Sequence, residues 1–302
     1  MKYVFLTLFA MSVSFSVNAQ GDTRLYADKI PNYKEAPNLV SSATTDGIMR
    51  VSNVSIPTYT LFLAPNASNN PTPFVVICPG GGYRILASTH EGTDIAKKFN
   101  EIGVSALVLY YRIPNDVNQV NKEFAPLQDA QQAIRLVRQQ AQKWKVDPTK
   151  VGIMGFSAGG HLASTAATHF DKDYVGLNDG INLRPDFQIL LYPVVTFRDH
   201  AHAGSRQNLV GNNPSEDLLH LFSNEEQVNS KTPPAFIVHA ADDKAVPVRN
   251  SLAYIEKLNS FGVAADYIQY AKGGHGFGLT NKTTPNRWFD DLANWFSANQ
   301  LR

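Results

Sequence analysis

A pentapeptide of the form Gly-x-Ser-x-Gly carries the strongest chemical signal in the sequence, at residues 155–159. It follows the apolar run 151–154 and opens a predicted helix of small residues, 158–168. A Ser hydroxyl is a poor nucleophile unless a base lies beside it, and a sharp strand-to-helix turn would expose Ser157 by holding its backbone in strained angles. The two flanking glycines fit this turn because side chains there would collide across it. A glycine-rich turn with an incidental serine is the alternative explanation of the pentapeptide taken alone.

A carboxylate and a histidine follow Ser157 in the chain order expected of a Ser-acid-His triad. Asp242 and Asp243 come directly after an apolar run, and His275 lies in the glycine-rich stretch 273–278. The glycines allow the backbone to bend so that the imidazole can reach the nucleophile. In such a triad the histidine accepts the serine proton and the carboxylate fixes the histidine tautomer. Since consecutive side chains at a strand end point to different sides, only one of the two aspartates can face His275.

A loop of three glycines, 80–82, follows the apolar run 74–78. Glycines let backbone N–H groups approach a developing negative charge, which is the task of an oxyanion hole. We expect the donors to be the N–H groups of Gly81, Gly82 and Ala158. A phosphate-binding loop is the alternative, but the stretch lacks the glycine spacing and the Gly-Lys-Ser/Thr ending of such loops.

Short apolar runs alternate with amphipathic stretches along the chain. The runs lie at residues 74–78, 105–111, 151–154, 187–192 and 235–239. Runs that are apolar on both faces suit the strands of a parallel sheet covered on both sides. Helical spacings of three and four recur at 127–141, 252–258 and 288–295, with Pro126 at the start of the first helix, Gly262 after the second, and Thr284-Pro285 as the start of the third. The alternation predicts an α/β fold with a mostly parallel, doubly wound sheet flanked by helices.

Two segments depart from this alternation. Residues 20–57 carry Pro, Asn and Ser without clear periodicity and are interpreted as an irregular lead-in to a single domain over residues 20–302. Residues 195–232 are polar and loop-like between two predicted strands. We expect this insertion to lie above the carboxyl ends of the strands, next to Ser157, and to form part of the substrate wall.

The first residues predict an export signal. Lys2 precedes an apolar run from about residue 4 to 17, and Ala19 ends a small-residue cleavage pattern, so residues 1–19 are interpreted as a signal peptide. Cleavage there predicts a secreted or periplasmic protein. The run is short and interrupted by Ser and Thr, which disfavours the alternative of a membrane anchor, and we expect no stable membrane association.

Composition excludes some partners. The chain has 27 Lys and Arg against 26 Asp and Glu, with no basic block or aromatic-basic stripe, which argues against nucleic acid as a partner.

Cys78 is the one cysteine of the chain, so an intrachain disulfide is impossible. Because Cys78 ends an apolar run, we interpret it as a buried thiol rather than a nucleophile.

With these pieces in place, the chain resembles the bacterial esterase and lipase families of the α/β-hydrolase superfamily. It is most similar to acetylxylan-esterase-like and feruloyl-esterase-like enzymes. The matching stretches are residues 78–83, 90–92, 111–112, 155–161, 239–248 and 273–278. The resemblance implies the α/β-hydrolase fold, no cofactor and no metal. It also implies Asp243 as the acid, because related sequences place it four residues before the Pro of a Val-Pro pair, here Pro247. Lipase-like relatives have His where this chain has Pro79, which disfavours the lipase subgroup.

Several further side chains are candidates for substrate contact. They are Tyr83, His90, Glu91, Phe197 and Phe222. His90 and Glu91 either line the site or begin a helix, and the two phenylalanines either face substrate or pack the insertion down. Tyr111 and Arg112 at a strand end are interpreted as structural, with Arg112 tying down a neighbouring loop. Asp199, His200 and His202 are interpreted as a solvated loop cluster, since the predicted chemistry requires no metal.

The motifs leave three functions to be weighed for this chain. The first is a secreted serine carboxylic-ester hydrolase that removes acetyl or other small acyl groups from plant polysaccharide or its oligosaccharides, with an acylated carbohydrate or small ester as its substrate. The second is a serine peptidase of the same fold, which is disfavoured because the chain has little room for a gating domain. The third is a non-catalytic carbohydrate-binding relative, which would be expected to have lost a triad residue.

Overall fold

The computed structural model of the chain describes residues 23–65 and 70–302. The predicted signal peptide, residues 1–19, lies outside the described residues. Within these ranges no helix is both long enough and apolar enough to cross a membrane.

Eleven strands and eight α-helices form within the described residues. The strands are β1 (Thr23–Arg24), β2 (Ser41–Thr45), β3 (Ile48–Ser52), β4 (Thr58–Phe62), β5 (Thr72–Cys78), β6 (Ile85–Ala87), β7 (Ser105–Tyr110), β8 (Val146–Phe156), β9 (Gln188–Leu191), β10 (Ala235–Ala240) and β11 (Ala265–Tyr270). The helices are α1 (Asp94–Glu101), α2 (Ala125–Gln139), α3 (Ala141–Trp144), α4 (Ser157–Thr168), α5 (Ala203–Val210), α6 (Glu216–Leu221), α7 (Arg249–Ser260) and α8 (Trp288–Ala298). A π-helical turn, Thr89–Thr93, precedes α1.

The main sheet has eight strands in the order β1-β4-β7-β5-β8-β9-β10-β11. All pairs from β7 to β11 are parallel, while β1 and β4 pair antiparallel at one edge. Every residue of β5, β7, β9 and β10 is buried, which explains the continuous apolar runs of the sequence. The prediction of a mostly parallel sheet flanked by helices is therefore confirmed. The Cys78 thiol is buried at the end of β5, as the sequence predicts.

The three predicted helices are present as α2, α7 and α8. Pro126 occupies the first turn of α2, and Gly262, with φ +71°, follows the end of α7. The predicted start of α8 is wrong by a few residues. The helix begins at Trp288, with Arg287 before it, because Trp288 is fully buried and its backbone N–H donates to the Tyr270 hydroxyl at the end of β11.

The interpretation of residues 20–57 as irregular is also wrong. Within them β2 and β3 form an antiparallel hairpin, and β3 pairs antiparallel with β6 in a separate three-stranded sheet. All five residues of β2 are exposed, so the strand lacks the apolar alternation by which strands are found in sequences.

Arg112 lies at the end of β7 and is fully buried, as a structural role requires. Its guanidinium makes an ion pair with Asp129 of α2, with 2.8 Å between Nη2 and Oδ1, and donates to the carbonyl of Pro31. Since a buried arginine needs a partner for most of its N–H groups, this arrangement fixes the lead-in segment against the sheet. The predicted structural role of Arg112 is confirmed.

Candidate active site

Ser157 stands on the turn between β8 and α4. Its φ of +51° lies in the left-handed region, which a non-glycine residue adopts at a cost of order 1–3 kcal/mol. The flanking glycines allow the turn to close, since a Cβ at Gly155 would lie 2.0 Å from the carbonyl oxygen of Gly159. A Cβ at Gly159 would lie 2.1 Å from the carbonyl oxygen of Cys78. The predicted collision across the turn is therefore confirmed for Gly155, whereas a side chain at Gly159 would instead collide with the end of β5.

His275 reaches Ser157 from the loop that follows β11. Gly274 and Gly276 on either side have φ values of +61° and +81°, so the loop bends as the sequence predicts. The distance from His275 Nε2 to Ser157 Oγ is 2.8 Å. On its other side the His275 ring approaches Asp243, with 2.6 Å between Nδ1 and Oδ2.

The hydrogen-bond partners of the ring nitrogens fix the tautomers of His275 and His239. A carboxylate can only accept, so Nδ1 of His275 carries the proton and donates to Asp243, which leaves Nε2 free to accept from the Ser157 hydroxyl. Nε2 of His239 lies 3.2 Å from Asp243 Oδ2 and 3.0 Å from the carbonyl oxygen of Val246. Both are acceptors, so this nitrogen is also protonated. Nothing in the sequence indicates this contact of His239 with Asp243, because His239 simply ends an apolar run.

Asp243 is held as an acceptor on both of its oxygens. Oδ1 accepts from the backbone N–H groups of Ala245 and Val246, each at 2.9 Å. Burial alone would raise the pKa of Asp243, but the hydrogen bonds from His239 and His275 and the backbone donors hold it well below its usual range. Asp242 points elsewhere, and its Oδ1 accepts from the Gly274 N–H at 2.8 Å. Ser157, His275 and Asp243 are thus brought together in the predicted order, and their catalytic role stays a prediction.

The glycine loop lies beside Ser157, as predicted for an oxyanion hole. Gly81 and Gly82 line the same cleft as Ser157, and within the described residues their N–H groups donate to no other group. Ala158 is the second residue of α4, where a helix leaves its N–H without an intrahelical acceptor. Two side chains hold carbonyl groups of this loop: the Tyr111 hydroxyl donates to the Pro79 carbonyl at 2.7 Å, and Asn208 donates to the Gly82 carbonyl at 2.8 Å.

Glu91 joins the glycine loop to the histidine loop. Its Oε2 accepts from the Gly80 N–H and its Oε1 accepts from the Tyr192 hydroxyl, both at 2.8 Å. The Tyr192 hydroxyl in turn accepts from the Gly278 N–H at 3.1 Å. Burial raises the pKa of Glu91, an effect opposed by the Tyr192 hydrogen bond and by the nearby His90. Pattern reasoning missed this bridge because a Glu near a helix start carries no signal of a buried role.

The cleft above Ser157 has a volume of about 700 Å³. Its lining comprises Ile48, Arg50, Gly81, Gly82, Arg84, Ile85, Ala87, His90, Glu91, Ser157, His202, Gly204, Gln207, Asn208, His275 and Gly276. Residues 202–208 belong to the predicted insertion, so this segment does form a wall next to Ser157. The predicted candidates His90 and Glu91 also lie here, although His90 Nε2 is 2.8 Å from the carbonyl oxygen of Gly276 and supports the histidine loop.

The other three candidates for substrate contact are not on the cleft. Tyr83, Phe197 and Phe222 are each at most 1% exposed and gather around His161 of α4. The Tyr83 hydroxyl lies 2.8 Å from His161 Nδ1, and Phe197 stacks on the ring at 4.2 Å between centroids. His161 Nε2 donates to the Phe222 carbonyl, and burial lowers the His161 pKa to about 3, so the ring is neutral. These aromatics fix the insertion and the glycine loop to α4 and lie buried outside the cleft lining.

His202 is the one residue of the predicted solvated cluster at 199–202 that faces the cleft. Its Nδ1 lies 2.7 Å from the Ser205 hydroxyl and also accepts from the Ser205 N–H, so His202 caps the amino terminus of α5. Burial lowers the pKa of His202, so a neutral imidazole stands at this wall.

Comparison with known proteins assigns the family. Residues 61–258 match the BD-FAE family. The chain belongs to the BD-FAE family. This family is one of α/β-hydrolase esterases, so the predicted resemblance and fold are both confirmed.

Relatives of this BD-FAE chain include carbohydrate-active enzymes. An acetylxylan esterase of Xylanibacter ruminicola is 35% identical over 249 residues, covering 78% of this chain and 47% of the relative. An endo-1,4-beta-xylanase B of Butyrivibrio fibrisolvens is 38% identical over 216 residues, covering 71% and 34%. The chain therefore spans less than half the length of these two curated relatives.

A solved structure extends the similarity over nearly the whole chain. The acetyl ester-xyloside bifunctional hydrolase from Caldicellulosiruptor lactoaceticus aligns with a TM-score of 0.79 at 35% identity. The alignment covers 93% of this chain and 97% of that one. The sheet that presents Ser157 is thus the α/β-hydrolase sheet.

Proposed function

We propose that this BD-FAE protein is a serine carboxylic-ester hydrolase with Ser157, His275 and Asp243 as its triad. The observation that carries the proposal is the unbroken hydrogen-bonded path from Ser157 Oγ through both ring nitrogens of His275 to a buried carboxylate. Of these two bonds, only the one between Ser157 Oγ and His275 Nε2 transfers the catalytic proton. The hydrogen bond from His275 Nδ1 to Asp243 orients the ring and stabilises its protonated form. The N–H groups of Gly81, Gly82 and Ala158 supply the donors for a negative oxygen.

Acylation begins when Ser157 Oγ attacks the ester carbonyl carbon and His275 Nε2 accepts the hydroxyl proton. The carbonyl oxygen becomes an oxyanion that the three backbone N–H groups stabilise. Asp243 stabilises the imidazolium through the Nδ1–H bond. As the ester bond breaks, His275 returns the proton to the leaving alcohol oxygen, and the acyl group stays on Ser157.

Deacylation repeats the same steps, with water as the nucleophile in place of Ser157. His275 Nε2 accepts a proton from a water molecule while the water oxygen attacks the acyl carbon. The collapse of the second oxyanion returns the proton to Ser157 Oγ and releases the carboxylic acid. Both half-reactions therefore use the same base and the same oxyanion donors.

The proposed substrate is an acetylated plant polysaccharide or its oligosaccharides. Two named relatives support it, the acetylxylan esterase and the acetyl ester-xyloside hydrolase, together with an open cleft of about 700 Å³ that has room for sugar units around the ester. The test is acetate release from acetylated xylan, acetylated xylo-oligosaccharides and p-nitrophenyl acetate, run beside a feruloylated ester and a dipeptide amide. Release of acetate from the saccharides supports the proposal, whereas cleavage of the amide alone would favour a peptidase.

We also propose that residues 1–19 direct export and that residues 20–302 act as one catalytic domain. Lys2, the apolar run and the small residues before position 20 support export. Expression of the full chain in a bacterium, followed by fractionation and amino-terminal sequencing, tests the export signal. A mature protein that starts near residue 20 outside the cytoplasm is expected, and an uncleaved cytoplasmic protein would contradict it.

A further inference from the structure

One wall of the cleft is made by the small sheet of β2, β3 and β6. Arg50 of β3 pairs with Ala87 of β6 in this sheet. Side chains alternate along a strand, so Ile48 and Arg50 share one face of β3, and Ile85 and Ala87 share one face of β6. These four line the cleft, while Val51 and Leu86, whose side chains point to the other face, are fully buried. The wall is therefore an apolar strip that ends in a guanidinium.

Arg84 adds a second guanidinium just before β6. It lines the cleft and is exposed, and its side chain makes no hydrogen bond or ion pair with any described residue. Arg50 uses Nη1 for the carbonyls of Thr45 and Ile48, which leaves its Nε and Nη2 without an acceptor among the described residues. Both arginines thus have free donors at the cleft.

The lining contains no free carboxylate to balance them. Glu91 is its one acidic residue, and both of its oxygens already accept, from the Gly80 N–H and from the Tyr192 hydroxyl. Glu91 is also only 5% exposed. A ligand that enters the cleft meets two cations with unused donors, in a geometry that suits carboxylates.

We propose that the cleft selects acylated saccharides that carry a carboxylate, such as a uronic acid side group, and that Arg84 and Arg50 bind that group. The inference rests on the proposed function and narrows its substrate class. The apolar strip of Ile48, Ile85 and Ala87 contacts the face of a sugar ring, and the arginines at its edge pair with the carboxylate.

The experiment compares two acetylated xylo-oligosaccharides that differ only in one group. One carries a glucuronic acid side group, and in the other its carboxyl group is reduced to a hydroxymethyl. The wild-type protein is expected to show a higher kcat/KM for the acidic substrate. Exposed ion pairs contribute roughly two- to fivefold each, so Arg84→Gln and Arg50→Gln should each lower the preference by that factor, mainly through KM. Arg287→Gln, on an exposed arginine that does not line the cleft, is the matched control for net charge and should keep the preference.

Calorimetric binding of the corresponding deacetylated oligosaccharides separates this inference from the proposed function. Tighter binding of the acidic compound, weakened in both cleft variants and by added salt, supports the carboxylate site even if no acetate is released. Equal kcat/KM and equal affinity for the two compounds would overturn it. A preference that survives the double variant Arg50→Gln/Arg84→Gln would overturn it as well.

Discussion

The floor of the cleft is formed by Ser157 and His275, with Asp243 behind them as the partner of His275. Ser157 and Asp243 are 6% and 7% exposed, and each has defined hydrogen-bond partners. At the rim, Arg84 is exposed and its side chain has no partner among the described residues, and Gln207 of α5 likewise makes no side-chain hydrogen bond there. The floor is fixed by its own hydrogen bonds before substrate arrives. The rim makes some bonds, such as that from Asn208 to the Gly82 carbonyl, but it keeps donors without partners in the described part of the chain on Arg84 and Gln207. Fixed groups lower the barrier of a chemical step, and unused donors can only discriminate between substrates.

The two regions also differ in origin. The floor comes from the turns that follow β8, β10 and β11, whose positions the parallel sheet fixes together. The rim comes from β3, β6 and α5, which are far apart in the chain and meet only in the folded protein. Changes at the floor should therefore act on kcat by orders of magnitude, and changes at the rim should act weakly and mainly on KM.

The largest effect is expected for Ser157→Ala. Removal of a triad nucleophile costs about a millionfold in kcat, because no other group can form the acyl intermediate. The check is turnover of p-nitrophenyl acetate by purified protein, with circular dichroism and the unfolding temperature showing that the fold is kept. Near-normal turnover would contradict the assignment of the floor.

The next effect distinguishes the two adjacent aspartates. Asp243→Asn should lower kcat by about 10⁴-fold, because an amide does not favour the protonated Nδ1 of His275 or stabilise the imidazolium. Asp242→Asn is the matched control and should be much milder, since Asp242 only accepts from the Gly274 N–H. A severe loss in the Asp242 variant with a mild one in the Asp243 variant would reverse the assignment.

Glu91→Gln should show an intermediate effect, a fall in kcat of about 10- to 100-fold with little change in KM. Gly80 N–H and the Tyr192 hydroxyl both donate to Glu91, and a glutamine offers only one acceptor oxygen to the pair. Loss of either bond shifts the glycine loop, and a misplacement of about 1 Å can cost about 100-fold.

Tyr192→Phe removes the same bridge from its other end and should act in the same direction. Because the two residues share one hydrogen bond, the double variant should cost less than the sum of the single free-energy losses. A Glu91→Gln protein with full kcat would show that the bridge does not hold the oxyanion donors.

The smallest effect is expected for Asn208→Ala, which removes the hydrogen bond from α5 to the Gly82 carbonyl. A neutral hydrogen bond at a partly exposed site is worth about 0.5–1.5 kcal/mol, so we expect a loss in kcat/KM of roughly two- to tenfold. Steady-state kinetics on p-nitrophenyl acetate measures it. A loss as large as that of Asp243→Asn would mean that the rim holds the floor in place, and the distinction between them would fail.

The floor could be predicted from the sequence because its signals are local. Ser157 and His275 each lie in a short glycine-flanked motif, and the strands before them are continuous apolar runs. The choice of Asp243 over Asp242 needed the family resemblance, since two adjacent carboxylates look alike until the orientation of each side chain is known.

The rim could not be predicted in the same way. β2 is polar and fully exposed, so nothing in its composition indicates a strand, and Arg50 reaches the cleft only through the pairing of β3 with β6. The sequence leaves open whether Phe197 and Phe222 face substrate or pack the insertion down, because an aromatic side chain in such a segment can point inward as easily as outward. Their contact with His161 depends on side-chain packing that no local pattern records.

The most direct test of the central claim is covalent labelling with an alkyl fluorophosphonate. An activated serine oxygen attacks the phosphorus and displaces fluoride, so the label reports a nucleophile without assuming any substrate. Intact-mass and peptide mass spectrometry should find one label per chain, on Ser157, with labelling strongly slowed in Asp243→Asn and absent in Ser157→Ala. A protein that hydrolyses esters but carries the label on another residue, or stays unlabelled, would contradict the assignment of Ser157 as the nucleophile.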